Sequence, residues 1–582
     1  MAATLIVFTI AIPWLGALLV WCTGDSRPRL QNSLAVIFSV GAGLSALALI
    51  PNISSQTAIS ISIGSAYGNF SFVPDGLGVF LAAVATVIGS LAVIFSIDYM
   101  KGEAQLGRYY ALVLFFIGAM AGLVLTSNLL LVFVFWEITA LCSYALISFH
   151  NDDPKAVASG IKALIMTQIG GIGLLAGALL VYSYMGTFDI PTFLAQSSKL
   201  PAGILALMAF GFLIAAAAKS AQFPFQTWLP DAMEAPTPIS ALIHAATMVN
   251  AGVYLLARFY PAFAPVPDWR LAVIVVGMLS ALLAAVMALV ANDLKRVLAY
   301  STVSQLGFMV YSIGAGGIFA SQFHLLSHAV FKALLFLGAG AVIHAVGTRD
   351  MRLMGGLGQK MPFVRTVFVI GALALCGLPF LNGFWSKELI LEAGLNGAPT
   401  WTYVVMLIVA GITALYTFRC VWMVFYGQPR SQLHAHDAGP AMRVALWPLA
   451  IGTLTTWLLA GPFSNMLASS LPFHGIEAKT TLQVLIEILT TPATYVALVV
   501  IALGLAAWWQ RDQLNGLVKS LKGLASAASN SFGFEAVNSG IVKVTQDSAE
   551  ALRVTQTGLL NWNVLGIVAA LVIVLVILVL GV

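Results

Sequence analysis

Long apolar runs recur from one end of the chain to the other, and short polar loops separate most of them. Each run holds enough residues to cross a hydrocarbon core of about 30 Å as an α-helix. Helices satisfy their own backbone hydrogen bonds, which lipid cannot do. We therefore predict about sixteen membrane-spanning segments. They lie at 4–21, 32–50, 75–97, 109–125, 128–148, 157–184, 201–229, 237–258, 270–290, 294–313, 318–345, 365–390, 401–426, 444–467, 493–509 and 561–581.

Composition agrees with this pattern. The 582 residues are 60% hydrophobic and only 8% charged, whereas soluble proteins are about 25% charged. No stretch has the size and polarity of a soluble domain. The first apolar segment has no basic region before it and no convincing small-residue cleavage site, so we interpret it as a span and not as a signal peptide. The sequence predicts an all-α, polytopic membrane bundle.

The distribution of Lys and Arg predicts the orientation. If the N-terminus lies outside, most loop Lys and Arg residues face the cytoplasm, and only Lys199, Arg270 and Lys479 face outward. Positive residues concentrate on the cytoplasmic side of membrane proteins. We therefore expect a multi-pass protein of the cell inner membrane with its N-terminus outside. This topology also explains the net charge of +5 without a nucleic-acid partner.

Two predicted spans contain helix-breaking residues in their interiors. Segment 201–229 includes KSAQFPFQTWLP, and segment 365–390 includes CGLPFLNGFWSKE. Proline removes a backbone donor and interrupts the helix. Irregular backbone at membrane depth persists only where protein or water satisfies it. Two interrupted helices about 160 residues apart indicate two structural repeats, as in transporters. The alternative is that each proline makes a kink needed only for packing.

Glu137 and Lys219 are ionisable residues within apolar surroundings. Glu137 lies inside NLLLVFVFWEITALCSYALIS, and Lys219 ends the run FGFLIAAAAK beside the first break. Charged side chains at such depth are costly and usually functional. A desolvated lysine has a reachable neutral state, whereas an arginine stays charged. We predict that they form a pair weakened by an arriving proton; the alternative is a static ion pair.

His324, His328 and Lys332 recur every fourth residue in SQFHLLSHAVFKALLFLG. This spacing places them on one helix face, about 6 Å apart along the axis. Imidazoles titrate near neutral pH and pass protons between their two nitrogens. The pattern favours a proton relay with water in the gaps. Zinc binding is the less favoured alternative, because the motif lacks the Glu of HExxH and no third ligand is identifiable.

Three further residues flank this predicted relay. His244 follows a rigid proline-rich segment and could connect the Lys219 region to the second half of the chain. Lys387 and Glu388 follow the second break and could form an exit gate. The alternative for His244 is a packed core histidine, and the alternative for Lys387 and Glu388 is an ion pair at a helix end. We also expect Arg419, inside a span, to pair with a carboxylate.

Several long motifs resemble one known family. KSAQFPFQTWLPDAMEAPTPISALIHAATMVN, NDLKRVLAYSTVSQLGFM, FHLLSHAVFKALLFLGAGAVIH, DMRLMGGL and GLPFLNGFWSKELIL resemble the antiporter-like subunits of respiratory complex I, of Mrp-type cation/proton antiporters and of membrane-bound hydrogenases. The resemblance covers roughly 70–430. Within the family, the chain most resembles the subunit L type of complex I, because of the Asp75–Gly76–Leu77 motif and a C-terminal extension ending in an apolar segment.

The resemblance implies two inverted five-helix repeats, each with a half-channel. It also implies the order of the buried residues: the first pair, then His244, then the central relay, then the exit pair. The implied function is proton translocation coupled to redox chemistry in partner membrane subunits. Na⁺/H⁺ exchange in an Mrp-type complex, and membrane subunits of hydrogenase or CO₂-uptake complexes, remain alternatives. We expect no cofactor, since the chain has no GxGxxG unit, P-loop or cysteine cluster.

These considerations divide the chain into six expected regions: N-terminal helices at 1–107, a first repeat at 108–260, a second repeat at 261–427, further helices at 428–510, a cytoplasmic-side amphipathic segment at 511–560 and a final span at 561–582. Subunit L carries a long lateral helix in its extension. Here the corresponding stretch contains GLASAASNSFGFEAVNSG. Because Gly, Ser and Asn weaken a continuous helix, we expect a shorter or broken element.

Overall fold

A computed structural model describes residues 1–62, 69–431 and 435–553, together with positions 564, 568, 569 and 571. The chain divides into two compact units, Met1–Ala525 and Ser526–Val582. Within the described residues the only sheet is a hairpin, in which β1 (Ile59–Ser62) pairs antiparallel with β2 (Asn69–Phe72). The rest of the regular structure is helical, which confirms the predicted all-α bundle.

The helices follow one another with short connections. They are α1 Ala2–Thr23, α2 Pro28–Leu49, α3 Gly76–Tyr99, α4 Leu106–Leu125, α5 Leu129–Ile147, α6 Pro154–Met185, α7 Ile190–Gln196, α8 Ala202–Lys219, α9 Trp228–Asp231, α10 Thr237–Ala241, α11 Asn250–Phe263, α12 Trp269–Val290, α13 Leu294–Ala315, α14 Ile318–Val346, α15 Pro362–Cys376, α16 Asn382–Gly397, α17 Thr400–Val421, α18 Pro440–Thr455, α19 Ala460–Ser470, α20 Thr481–Thr490, α21 Pro492–Trp509, α22 Asn515–Ser520, α23 Lys522–Ser529 and α24 Phe534–Arg553. One π-helical turn, Leu242–Ala246, follows α10 and is separated from α11 by the bend at 247–249. Another, Trp422–Tyr426, extends α17.

Thirteen helical segments in the described part of the chain are long and apolar enough to cross a membrane, by length and composition. They correspond to thirteen of the predicted spans. Helix α13 and the interrupted α15–α16 pair correspond to two more. The last predicted span, 561–581, lies almost entirely outside the described residues. The chain is thus a multi-pass membrane protein, and its most buried parts are α10–α11 and α13, where every residue of α13 except Arg296 is buried.

The two repeats are recognisable from matching backbone hydrogen bonds. In each repeat, the tight loop before the second helix pairs with the loop that follows the long third helix, through isolated bridges between Asn128 and Asp189 and between Asp293 and Asp350. The bonds are Leu129 N–Phe188 O and Ile190 N–Ser127 O, both 2.8 Å, and Leu294 N–Arg349 O and Met351 N–Asn292 O, both 2.9 Å. The same position also caps the second helix in both repeats, since Asn128 accepts from Leu131 N and Asp293 from Arg296 N.

An odd number of crossings makes the repeats inverted. Helices α4, α5, α6, α8–α9 and α10–α11 form the first repeat, and α12, α13, α14, α15–α16 and α17 form the second. Five crossings bring the chain to the opposite face, so the second repeat starts from the side opposite to the first. Equivalent loops, such as 126–128 and 291–293, therefore lie at opposite ends of the bundle. This arrangement places the two broken helices in equivalent positions.

The first break lies between α8 and α9, and protein groups satisfy its backbone. Helix α8 ends at Lys219, and the Ser220 hydroxyl donates to the Val249 carbonyl at 2.6 Å. The Phe223 N–H donates to Ser280 Oγ at 2.8 Å. The Trp228 indole donates to the Ala218 carbonyl, 2.9 Å away, at the end of α8. These bonds explain how irregular backbone persists within a buried region.

The second break lies between α15 and α16. Gly377 ends α15 in the left-handed region, with φ of 84°, a conformation that glycine adopts without strain. The Lys387 ammonium of α16 donates to the last carbonyls of α15, Leu375 O at 2.9 Å and Cys376 O at 3.3 Å. A Cβ at Gly383 would lie 1.9 Å from Ala374 O, so glycine is required for this approach. Both predicted interruptions are confirmed.

Within its described residues, the C-terminal extension is not one continuous helix, and this agrees with the expectation from the sequence. Beyond α21 the chain forms three separate helices, α22, α23 and α24, and α24 is the longest at 20 residues. Ser531, Phe532 and Gly533, just before α24, all have positive φ, at 51°, 52° and 82°. Such backbone cannot continue an α-helix. No single continuous helix therefore spans the described residues 511–553.

Candidate functional site

Glu137 packs against α6. The Gln168 side-chain amide donates to Glu137 Oε2, and a Cβ at Gly171 would lie 2.4 Å from Glu137 Oε1. Gln168 and Gly171 are three residues apart, so they lie on the same face of α6. The glycine makes room for the carboxylate, and the glutamine binds it. Glu137 is half-buried.

Lys219 is fully buried at the end of α8, close to Glu137. Its Nζ donates to the Trp136 carbonyl at 2.8 Å and lies 4.9 Å from the centre of the Trp136 ring. The two charged groups are close enough to interact electrostatically. Within the described chain, no direct hydrogen bond joins the Glu137 and Lys219 side chains. The structure brings the predicted partners together through the backbone next to Glu137, and their functional pairing stays a prediction.

His244 lies in the π-helical turn between α10 and α11. The extra residue of this turn frees backbone carbonyls, and Thr247 Oγ1 and Asn250 Nδ2 donate to two of them at 2.5 and 3.1 Å. The imidazole is fully buried, and neither ring nitrogen has a hydrogen-bond partner among the described residues. Its ring centre lies 6.2 Å from that of Trp228 in α9 and 6.4 Å from that of Phe336 in α14. His244 therefore lies between the two repeats.

The His–His–Lys row of α14 is entirely buried. The ring centres of His324 and His328 are 6.3 Å apart. The Lys332 ammonium donates to the Leu298 carbonyl at 3.0 Å and also contacts the Ser301 hydroxyl, both on α13. His328 has no hydrogen-bond partner for either nitrogen within the described part of the protein. The three side chains are thus buried on one face of α14, the arrangement that their spacing predicted, and α13 supplies the polar contacts of Lys332.

His324 connects this row to the second break. Its Nδ1 is 2.9 Å from Ser386 Oγ on α16, and its Nε2 is 3.1 Å from Gln305 Oε1 on α13. Ser386 immediately precedes Lys387 and Glu388. Glu388 is only 3% exposed, and its Oε1 has no hydrogen-bond partner among the described residues. The three α14 residues and the exit pair predicted from the sequence therefore lie in one continuous buried region.

Sequence reasoning missed the neutral members of this region. Gln168, Ser301, Gln305 and Ser386 contact the predicted residues, but none was singled out. A signal was present for two of them: Ser301 and Gln305 are four residues apart on α13, which places polar groups on one face of a buried membrane helix. Such groups are buried only where they find partners.

Among the described residues, Arg419 does not have the carboxylate partner that we expected. Its guanidinium donates to the Ala291 carbonyl at 2.7 Å and to Asn292 Oδ1 at 2.6 Å. Ala291 and Asn292 follow the C-terminus of α12, where orphan carbonyls accept hydrogen bonds and attract cations. The prediction was wrong because a helix terminus supplied the negative end of the interaction.

A network of ion pairs joins the repeats at the end of the bundle that carries loops 148–153 and 291–293. Asp231 contacts Lys162 at 2.7 Å and Arg296 at 2.6 Å. Glu234 contacts Lys155 at 2.8 Å and Arg349 at 3.2 Å. Burial acts to raise the pKa of Glu234, but its hydrogen bonds to Lys155 and Arg349 outweigh burial and lower it below its usual value. Glu234 therefore stays ionised and holds the network at neutral pH.

The chain has two inverted repeats, each with a broken helix, and both contain acidic, basic or imidazole side chains in their interiors. These features define a multi-pass membrane protein with antiporter-like repeats. Among the described residues, no group of three His, Cys, Asp or Glu side chains could hold a metal ion. Residues 126–413 match the family model described as NADH:quinone oxidoreductase/Mrp antiporter, transmembrane, and residues 61–110 match that of the complex I chain 5 N-terminus.

The chain belongs to the NADH-quinone oxidoreductase subunit L/chain 5 family. It is 38% identical over 540 residues to NADH-quinone oxidoreductase subunit L of Pseudomonas aeruginosa, covering 89% of this chain and 86% of that one. It is 44% identical over 381 residues to NAD(P)H-quinone oxidoreductase chain 5 of Synechocystis sp., covering 63% of this chain but only 56% of that relative. The fold also matches a solved structure of the Mrp complex from Dietzia sp. DQ12-45-1b, with a TM-score of 0.85, 28% identity, and coverage of 99% of this chain and 63% of that one.

Proposed function

We propose that this chain is a proton-translocating membrane subunit of a complex I-like assembly, driven by redox chemistry in partner subunits. The observation that carries the proposal is a set of ionisable side chains inside both repeats, all of them buried except the half-buried Glu137: Glu137, Lys219, His244, Lys332, His328, His324, Lys387 and Glu388. Ionisable groups inside a membrane protein are costly and mark ion pathways. The names of the relatives as oxidoreductase subunits support the redox coupling.

The first repeat would respond to the partner subunits. Lys219 donates to a backbone carbonyl beside Glu137 and not to the Glu137 carboxylate. No hydrogen bond between the two side chains therefore has to break when either of them changes its charge. A proton that neutralises Glu137 weakens the attraction for the Lys219 ammonium, which then more readily releases its own proton. His244, buried between Trp228 of the first repeat and Phe336 of the second, would then pass that proton to the second repeat.

The second repeat would carry the proton to the exit. Lys332, His328 and His324 lie along one face of α14, and Ser386 joins His324 to α16, the helix that carries the exit pair. The histidine nitrogens without protein partners need water, because buried polar groups are almost always hydrogen-bonded. Water between imidazoles about 6 Å apart completes a chain through which protons can hop.

The proposed location is the inner membrane, with the N-terminus outside. The positive residues of the loops support this orientation. The regions 1–107, 108–260, 261–427, 428–510, 511–560 and 561–582 remain our proposed division of the chain. The partners would be other membrane subunits of a multi-subunit complex, together with the lipid bilayer.

Replacement of the two buried lysines tests the proposal. In inverted membrane vesicles that contain the complete complex, we expect Lys219→Ala and Lys332→Ala each to reduce NADH-driven proton uptake by about tenfold or more, because each removes a proton-transfer group. Lys101→Ala, at an exposed turn, is the matched control. Wild-type uptake by both lysine variants, at equal amounts of assembled complex, would contradict the proposal.

Na⁺/H⁺ exchange within an Mrp-type complex is the second candidate function. The close fit of nearly the whole chain to the Mrp complex structure favours it. Transport would then require a sodium gradient and no electron donor. A sodium-dependent pH change in vesicles without NADH would support exchange, and NADH-dependent, sodium-independent proton uptake would support redox-driven pumping.

A further inference from the structure

A water-accessible cavity lies beside the end of the relay, in the Met1–Ala525 unit. We call it the outer cavity; it has a volume of about 270 Å³ and includes in its wall Glu392, His474, Glu477, Lys479 and Glu487. Asn396 and Glu477 on its rim are exposed, so the cavity opens at the protein surface. Its volume holds several water molecules. In the proposed orientation, this opening faces the outside.

Glu392 connects the outer cavity to the buried exit pair. It lies four residues after Glu388 on α16, hence on the same helix face and about 6 Å further along the axis. Glu388 is nearly inaccessible and has an unpartnered carboxylate oxygen among the described residues. The two carboxylates interact electrostatically. Glu392 is half-buried and is one of the residues that line the cavity.

The far wall of the cavity comes from outside both repeats. Lys479, in the loop before α20, contacts both carboxylate oxygens of Glu487 on α20, at 2.8 and 2.7 Å. Thr491 Oγ1, at the end of α20, lies 3.4 Å from Glu392 Oε1. The Lys479–Glu487 pair balances one charge of the wall and leaves Glu392 and Glu477 as negative groups. Negative groups in the wall of the outer cavity attract a proton or other cation from the buried region into the cavity water.

We propose that Glu392 is the last proton acceptor of the relay and that the outer cavity is the route by which the proton reaches the aqueous phase. The inference rests on the proposed proton translocation and adds its final step. The O–H of protonated Glu388 breaks, and the proton passes directly or through water to the Glu392 carboxylate. Glu388 is left ionised. Glu392 then releases the proton to cavity water and returns to its carboxylate form.

The first test uses three substitutions in the complete complex in inverted vesicles. We expect Glu392→Gln to reduce NADH-driven proton uptake by about tenfold or more, because an amide cannot accept the proton. Glu392→Asp, which keeps the carboxylate, should retain most of the uptake, whereas a purely structural role would not distinguish these variants in this way. Glu103→Gln, at an exposed turn, is the control. Wild-type uptake by Glu392→Gln would overturn the inference.

A second test does not depend on pumping. In a Cys22→Ser background, Glu392→Cys should react with a membrane-impermeant cationic methanethiosulfonate reagent added to the outside of intact cells. Ile390→Cys, on the same helix but fully buried, should not react. Failure of the Glu392→Cys protein to react, with the assembled complex present, would overturn the exit route. If Lys332→Ala abolishes uptake while Glu392→Gln does not, only this inference fails; if neither affects uptake, the proposed function fails.

Discussion

The buried ion pair between Asp75 and Arg258 yields a quantitative prediction. Arg258 on α11 contacts both carboxylate oxygens of Asp75, with Nη2–Oδ1 at 2.9 Å, and its Nε donates to the Tyr254 hydroxyl at 3.2 Å. Each side chain of the pair is only 8% exposed. Asp75 also caps α3, because its Oδ1 accepts from Gly78 N at 2.9 Å. One carboxylate thus joins the start of α3 to the first repeat.

Asp75→Asn removes the charge and keeps the cap. Asparagine is as good an N-cap as aspartate, so the cap contributes little to the change. The substitution leaves the guanidinium buried without its counter-ion, which costs about 3–5 kcal/mol of stability. Arg258→Met leaves the carboxylate buried and should cost a similar amount. The double variant removes both charges, so we expect it to be more stable than the sum of the single effects predicts, by about 2 kcal/mol or more.

The assay is unfolding of the purified protein in mild detergent. All four proteins are titrated with sodium dodecyl sulfate, and tryptophan fluorescence reports the folded fraction. The free energies of unfolding then give the interaction energy of the pair. Single effects below about 1 kcal/mol, or a double variant whose loss equals their sum, would refute the reasoning, because an exposed and screened pair behaves in that way.

Two further predictions concern stability. Burial, followed by the charge of Arg258, holds the pKa of His474 down to about 4, against about 6.5 when unfolded. The unfolded chain therefore takes up the proton first, so the free energy of unfolding should fall as the pH drops from 6.5 towards 4 and should change less in His474→Gln; equal pH profiles would disprove this. A Cβ at Gly277 would lie 2.4 Å from Tyr311 N, so Gly277→Ala should lower the melting temperature in detergent through a loss of about 1–3 kcal/mol or more. Gly203→Ala, where nothing lies within 4 Å, should not.

The sequence was sufficient to predict the all-α bundle, the spans within the described residues and both helix breaks. Apolar run length predicted the spans, and Pro224 and Gly383 marked the helix breaks, because both signals act locally on the backbone. The fourfold spacing of His324, His328 and Lys332 likewise placed them on one face. Periodicity predicts which residues share a face of a helix, and in α14 all three residues of that face are buried.

The partners of these side chains were less predictable, because they depend on how distant helices pack. Lys219 binds the carbonyl of Trp136, and Lys387 binds the end of α15. Backbone carbonyls carry no sequence signal, so a search for carboxylate partners misses them. The same limitation explains the wrong expectation for Arg419. The ion pair of Asp75 with Arg258 spans 183 positions, and no local pattern connects the two residues.

The π-helical turn at Leu242–Ala246 limits the insertions and deletions that this segment can accept. Such a turn contains one residue more than the α-helical turn it replaces. Deleting Ala245 should return this turn to α-helical pitch and rotate the side chains before it by about 100° relative to those after it. The imidazole of His244 would then no longer lie between Trp228 of the first repeat and Phe336 of the second. Relatives without this turn should therefore show a one-residue gap in alignment here, and they would need another group at this crossing.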